Sequence, residues 1–180
     1  MRKEIFQKIE IPSGVEADVT GNIVVIKGKE GENARRFDVE NISIKKEGNE
    51  IVIGHKTATK REKKMINTIA AHVRNMIKGV QKKFEYKLKV VFSHFPITVE
   101  VKGSDVLVKN FLGEKTPRKT NVPDGVDVKV DKEHITITST DRELAGKAAA
   151  NFEAITRIRN RDRRIFQDGI FMTSKAGREM

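Results

Sequence analysis

The chain has 180 residues, of which 37% are apolar and 34% are charged, and its formal net charge is +11. This length suits one large domain or two small ones, and the basic surplus predicts a polyanionic partner. Cysteine is absent, which excludes disulfides and zinc–cysteine sites. No apolar run approaches the ~18 residues of a membrane span, and charges interrupt the N-terminal apolar residues, unlike in a signal peptide. We expect a soluble cytoplasmic protein without membrane contact.

The opening third of the chain has the pattern of β-strands. Short apolar runs alternate with polar residues from Val15 to Ile53, and Gly and Asn turns separate them. One such turn is expected at residues 27–32, followed by an alternating strand through Phe37 and Val39. This pattern is typical of an antiparallel sheet with one buried face.

A helix is expected next. Thr59 and Glu62 have the spacing of a capping box. Apolar residues then recur at helical spacing from Ile66 to Ile77, and Gly79 supplies a stop signal. Several strands followed by one helix therefore account for residues 1–79.

The second half repeats this order. Residues 84–92 alternate apolar and charged side chains, which predicts a strand that also connects the two halves. Further strands are expected around Val99, Val106, Val128 and Ile135. A second capping box at Thr140 and Glu143 precedes a second helix over residues 144–155.

The two halves also match in detail, which indicates an internal duplication. Val19–Lys27 matches Val101–Lys109 at an offset of 82, and later strands match at an offset of 84. We predict an α+β protein with two tandem duplicated domains, residues 1–80 and 81–180. Each would contain an antiparallel or mixed β-sheet packed with one main α-helix.

Motifs of enzymes are absent from the sequence. It contains no Gly-x-x-x-x-Gly-Lys, no His-Glu-x-x-His and no Gly-x-Ser-x-Gly. Ser93 and His94 are adjacent, but as neighbours in a strand they would point to opposite faces. We expect no catalytic activity, no cofactor, no metal site and no small-molecule substrate. A phosphoryl or acyl transfer enzyme would need a pocket that the sequence does not reveal.

Two basic regions lie in the middle of the chain. Basic residues open the first helix at the positive end of its dipole, where either a bound partner or a solvated helix face accounts for them. A second set lies on or beside the connecting strand, where protection of a sheet edge explains the lysines as well as binding does. That set is Lys82, Lys83, Lys87 and Lys89.

A third basic region is the irregular loop at residues 109–121. Its charge comes from Lys109, Lys115, Arg118 and Lys119. Phe111 is either a base-stacking ring or the anchor of the loop in the core. We favour the anchor, because one aromatic ring is a weak stacking platform.

The fourth region is a dense group of arginines near the C-terminus. The sequence places Arg157, Arg159, Arg161, Arg163 and Arg164 around one acid, Asp162. They either continue the second helix or lie along an exposed strap, and they cannot all be buried without partners. A solvated basic tail is the alternative to a binding site, but arginine suits phosphate oxygens.

The aromatic content bears on which nucleic acid would bind. Aromatic residues make up only 6% of the chain, which favours phosphate and shape recognition of folded RNA over stacking on single strands. The tail beyond Ile165 offers little to pack, so we expect it to be mobile without RNA.

Several short motifs resemble one family. Phe92-Ser-His-Phe-Pro96 resembles the Phe-Ser-His-Pro signature of the L-six family of large-subunit ribosomal proteins. The helix segment at residues 145–150, the basic stretch after it and Gly169-Ile170 are also similar to that family. Residues 110–115 resemble its archaeal and eukaryotic branch, called the L-nine type in eukaryotes. The bacterial tail is richer in Pro, Tyr and Lys, and this chain departs from it.

The resemblance implies a structural component of the large ribosomal subunit. It would bind large-subunit ribosomal RNA near the sarcin–ricin loop and the translation-factor site, with neighbouring ribosomal proteins and translation factors close by. The alternative is a stand-alone basic RNA chaperone or protein-interaction module. The candidate RNA-binding residues, from charge and resemblance together, are Lys82, Lys83, Lys87, Ser93, His94, Lys109, Lys115, Arg118, Lys119, Arg157, Arg159, Arg161, Arg163, Arg164 and Gly169.

Overall fold

In the computed structural model, which describes residues 3–180, the chain forms two compact units that divide between Lys83 and Phe84. We call them the first unit and the second unit. Each contains antiparallel sheets and one main helix. The predicted fold class, two tandem α+β copies, is confirmed.

The first unit contains six strands and a long helix. These elements are β1 (Lys3–Glu10), β2 (Glu16–Thr20), β3 (Ile23–Gly28), β4 (Gly31–Arg36), β5 (Ser43–Glu47), β6 (Glu50–Ala58) and α1 (Lys60–Gln81). One sheet has the order β1-β6-β5 and the other the order β2-β3-β4. The apolar stripe of α1 lies in one core with the inward residues of both sheets. The capping box is confirmed, because the Thr59 N–H donates to the Glu62 carboxylate over 2.8 Å.

Two expectations for the first unit are wrong in detail, and one strand was missed. Strand β1 was not predicted at all. The turn expected at residues 27–32 is shorter, because β4 already begins at Gly31 and its polar residues carry no alternating apolar signal. Phe37 and Val39 therefore lie after a strand rather than in one.

Gly79 does not end helix α1, which continues to Gln81. The turn between β3 and β4 covers this end of the helix, where the Glu30 N–H donates to the Val80 carbonyl oxygen over 2.9 Å. A Cβ added at Gly28 would lie 2.8 Å from Val80. Gly79 is itself buried in the helix, so tertiary packing overrides its weak stop signal.

The second unit repeats this arrangement and extends it. Its elements are β7 (Phe84–Val91), β8 (Thr98–Lys102), β9 (Asp105–Lys109), a 3₁₀ turn (Phe111–Gly113), β10 (Arg118–Asn121), β11 (Asp127–Asp131), β12 (His134–Ser139), α2 (Arg142–Ile155), β13 (Gly169–Lys175) and β14 (Arg178–Glu179). The sheets have the orders β11-β12-β7-β13-β14 and β10-β9-β8. Helix α2 packs on Tyr86 and Leu88 of β7 and on the inward residues of β12.

Strand pairing follows the duplication. The order β5-β6-β1 of the first unit corresponds to β11-β12-β7 of the second, and β13 and β14 are added on the free side of β7. Thr20 pairs with Ile23 and Lys102 with Asp105, at an offset of 82. The hairpin of β11 and β12 repeats that of β5 and β6 at an offset of 84. The duplication seen in the sequence is therefore also a duplication of strand pairing.

The connecting strand is central rather than at an edge. Strand β7 pairs with β12 on one side and β13 on the other. Edge protection is therefore the wrong explanation for Lys87 and Lys89, which lie on its exposed face. The end of the loop expected at residues 109–121 forms strand β10, whose polar sequence hid it.

Two expectations near helix α2 are also wrong. The helix begins with Asp141 as its N-cap, because the Asp141 carboxylate accepts from the Glu143 N–H over 2.7 Å. Thr140 and Glu143 therefore form no capping box. The tail beyond Ile165 was expected to have little to pack against, but Gly169–Lys175 pairs along β7 and Ile170 is only 1% exposed.

Candidate nucleic-acid interface

Residues 157–168, which we call the arginine strap, form a loop whose two ends meet at one threonine. Helix α2 stops at Ile155, and Thr156 caps it. The Thr156 hydroxyl donates to the Glu153 carbonyl oxygen over 3.3 Å and accepts from the Ile170 N–H over 2.9 Å. Thr156 is buried, so these bonds are shielded from water. Of the two arrangements expected for the arginines, the exposed strap is confirmed and the continued helix is wrong.

Arg118 braces the start of the strap from strand β10. Its Nη1 donates to the Ile155 carbonyl oxygen over 2.7 Å, while Nε and Nη2 bind both oxygens of Glu114 at 2.8 and 2.6 Å. The hydrogen bond from Arg118 lowers the pKa of Glu114. The guanidinium lies 4.3 Å from the ring centroid of Phe111, which is 1% exposed. Phe111 is therefore the anchor of its loop, as we favoured.

A turn inside the strap is built by Asp162. Its carboxylate accepts from the Arg164 N–H over 2.9 Å and pairs with Arg164 Nη2 over 2.7 Å. This partner lowers the pKa of Asp162 and raises that of Arg164. The Asp162 carbonyl oxygen accepts from the Phe166 N–H over 2.9 Å. Arg161 lies 4.8 Å from the centroid of the Phe166 ring, so the turn also orients a stacked arginine.

The end of the strap is fixed by Asp168, which is only 1% exposed. One carboxylate oxygen accepts from the N–H groups of Ser93 and His94 at 2.7 and 3.1 Å, and the other lies 2.6 Å from His94 Nδ1. Burial raises the pKa of Asp168, but these hydrogen bonds outweigh it and lower the pKa to about 2. The His94 ring stacks on Phe166 at 4.9 Å. Asp168 therefore joins the turn after β7 to the strap.

Ser93, His94 and Asp168 do not form a catalytic triad. Ser93 Oγ lies 3.1 Å from His94 Nδ1, the same nitrogen that faces Asp168. A triad needs the serine at one ring nitrogen and the acid at the other. Both residues lie in a turn after β7 rather than in a strand, so the expectation that they point to opposite faces of a strand is wrong. The cluster is a structural joint.

The strap leaves several guanidinium groups available to a partner. Arg157, Arg159 and Arg163 are exposed, and their guanidinium groups have no hydrogen-bond or ion-pair partner among residues 3–180. Arg164 is paired with Asp162, yet its side chain is 89% exposed. Cationic groups are thus presented from a backbone that buried contacts already hold, an arrangement suited to phosphate oxygens.

Among the remaining candidate RNA-binding residues, some lysines form ion pairs and others are exposed. Lys109 Nζ pairs with Glu100 over 2.5 Å, and Lys87 Nζ pairs with Glu85 over 3.0 Å. Two others, Lys115 and Lys119, are exposed. Lys82 is exposed and Lys83 is half-buried, and both lie at the end of the first unit.

Gly169 is buried at the base of the strap. A Cβ placed there would lie 3.3 Å from the Phe171 ring and 3.4 Å from Thr156 Oγ1. The structure thus brings Ser93, His94, Arg118 and Gly169 together with the strap. It shows no such contact for Lys87, Lys109, Lys115 or Lys119.

Sequence reasoning missed the residues that hold the strap in place. These are Glu114, Thr156, Phe166 and Asp168. None belongs to a periodic pattern, and their partners lie far away in the sequence. The Phe-Ser-His-Phe-Pro segment was the only local signal at this joint, and it indicated a family rather than a contact.

Among residues 3–180, no group of three or more His, Asp or Glu side chains is arranged to hold a metal ion. Neither main helix of this part of the chain is long and apolar enough to cross a membrane.

Comparison with known proteins decides the family. Residues 11–83 and 95–169 each match the model of one family, described as Ribosomal protein L6. The chain belongs to the ribosomal protein L6 family. One matched stretch falls in each unit, and the second stretch includes the whole arginine strap.

Curated relatives match over nearly the full chain, and each is named large ribosomal subunit protein uL6. The protein of Methanothrix thermoacetophila is 43% identical over 175 residues, which cover 97% of this chain and 99% of the relative. That of Methanobrevibacter smithii is 44% identical over 171 residues, 95% and 96% of the two chains. That of Methanococcus vannielii is 42% identical over 174 residues, 97% and 96%.

Proposed function

We propose that this chain is a structural component of the large ribosomal subunit and binds ribosomal RNA through its second unit. The family and its full-length relatives named for the large subunit support the ribosomal role. The RNA contact is supported mainly by one observation: the exposed guanidinium groups of the arginine strap project from a loop that is fixed at both ends. The role is one of assembly and binding rather than catalysis.

The mode of binding follows from the chemistry of the strap. A guanidinium can donate two parallel hydrogen bonds to a phosphate, and each contact releases counterions from the RNA. Because Thr156, Asp162 and Asp168 already order the backbone, binding needs to order little beyond the arginine side chains. The strap should therefore recognise the spacing of phosphates in a folded RNA rather than a base sequence.

We also propose where in the ribosome this chain binds. Family resemblance supports a contact near the sarcin–ricin loop and the translation-factor site, with other ribosomal proteins as neighbours. Sedimentation of a cell extract tests the ribosomal role, which predicts near-stoichiometric co-migration with large subunits. Migration away from subunits would instead favour a stand-alone RNA chaperone. Cross-linking from the strap to RNA in isolated subunits tests the location.

A further inference from the structure

A groove of about 730 Å³ lies between the strap and helix α2 in the second unit. Its apolar walls include Ala150 and Ala154 of α2, Phe166 of the strap and Phe171 of β13. Phe171 is 47% exposed, a large value for an aromatic side chain beside a core. A groove of this volume is large enough to hold a small organic group.

Two arginines and two acids are the charged side chains in the lining of the groove. Arg157 and Arg163 lie in its lining, with no partner for either guanidinium among residues 3–180. The two acids of the lining are already engaged. Glu153 accepts from the Met172 N–H over 2.9 Å, and Asp168 is buried against the N–H groups of Ser93 and His94. The groove therefore suits a ligand with a flat apolar part and an attached anion.

We infer that this groove accepts one unstacked base of the bound RNA, with the adjoining phosphates at Arg157 and Arg163. The inference rests on the proposed RNA-binding function and adds a site for a single nucleotide to it. A nucleotide places a phosphate beside a flat ring, and unstacked RNA bases bind against aromatic side chains. The small side chains of Ala150 and Ala154 leave room for a ring against the helix.

The test compares two RNA hairpins bound by the full chain in low salt. One hairpin carries a single bulged adenosine and the other is the same hairpin fully paired. We expect the bulged hairpin to bind about tenfold more tightly, a change that corresponds to about 1.4 kcal/mol and lies within the range for stacking one base.

Variants that fill the groove locate the effect. Ala154→Leu adds bulk at an exposed helical position, and leucine preserves the helix almost as well as alanine. It should remove the preference for the bulge and leave binding of the paired hairpin unchanged. Ala71→Leu is the matched control, because Ala71 is exposed on helix α1 of the first unit. It should retain the preference.

Other outcomes would overturn the inference in distinguishable ways. Equal binding of both hairpins by the unaltered chain would remove the base site and leave RNA binding intact. Retention of the preference in Ala154→Leu would place the base elsewhere. Binding of neither hairpin would contradict the proposed function itself. If an acidic, leucine-containing peptide bound the unaltered chain but not Ala154→Leu, and no bulge preference existed, the groove would be a site for a protein segment.

Discussion

Asp168 is the residue whose chemistry most directly links folding to the proposed interface. It is buried, and its carboxylate holds the Ser93-His94 turn against the end of the strap. Its pKa is lowered from 3.8 to about 2. The stabilisation is therefore complete above the ordinary pKa and is lost as the pH falls towards about 2.

Replacing Asp168 with Asn should lower the free energy of unfolding at neutral pH by about 1.5–3 kcal/mol, the range for hydrogen bonds to a charged group. The difference between the unaltered chain and the variant should shrink by about 2 kcal/mol as the pH falls from neutral to about 2, because one pKa unit corresponds to about 1.4 kcal/mol. Chemical denaturation across this range measures it. Asp124→Asn, at an exposed acid, is the control. A pH-independent difference would show that the charge of Asp168 is unimportant.

Arg118 supports a second prediction at the scale of one residue. Its guanidinium holds the Ile155 carbonyl oxygen and Glu114, so Arg118→Gln should cost about 1–3 kcal/mol of stability. The strap should also loosen, with faster hydrogen exchange at the N–H of Phe166 and Ile170. Lys119→Gln changes the neighbouring exposed residue and should alter neither measurement. Unchanged exchange in Arg118→Gln would mean that the strap does not depend on this brace.

At the scale of elements, the sequence predicts strands and helices that have a periodic apolar pattern and misses strands that are mainly polar. Alternating apolar residues located β7 and β12, and helical spacing located α1 and α2 to within a few residues. Strands β4 and β10 escaped because their residues are polar and their place is set by pairing with β3 and β9. No local pattern encodes such pairing.

The structure of the strap also depends on contacts between distant residues, which the sequence does not reveal. Its arginines were evident from their dense grouping in the sequence, but the path of its backbone depends on single contacts such as Ile170 to Thr156 and Ser93 to Asp168. These contacts join residues 14 and 75 positions apart in the sequence. Without them the stretch resembles a mobile tail, which is why the tail was predicted wrongly.

The salt dependence of RNA affinity tests whether the strap binds mainly through phosphate contacts. If binding is mainly phosphate neutralisation by some six to eight side chains, log K should fall with log salt at a slope of roughly −4 to −7. Titration of a large-subunit RNA fragment at several salt concentrations gives the slope directly. A slope near zero would contradict a phosphate-based contact.

At the scale of the whole molecule, the duplication suggests that each unit can fold without the other. The buried residues form one core from Ile9 to Val80 and another from Tyr86 to Ile170. We propose that the two units are independently folding domains, although each is near the small size at which a core is only just sufficient. A fragment of residues 84–180 should then unfold cooperatively in urea. A fragment that shows no transition, beside a full chain that does, would refute independence.

One triple variant tests most directly whether the arginine strap binds RNA. Arg157, Arg159 and Arg163 are changed together to Gln, because these exposed guanidinium groups have no partner among residues 3–180. The control changes three exposed lysines of the same unit to Gln, which removes equal charge. These are Lys129, Lys132 and Lys147.

Both variants should melt close to the unaltered chain, because each surface change is worth ~0.5 kcal/mol or less. Affinity for large-subunit RNA should fall roughly a hundredfold in the arginine variant, since three lost contacts at ~1 kcal/mol each give a factor of this size. The lysine control should lose far less. Equal losses in both variants would show that diffuse charge, not the strap, binds RNA, and unchanged affinity in the arginine variant would contradict the account outright.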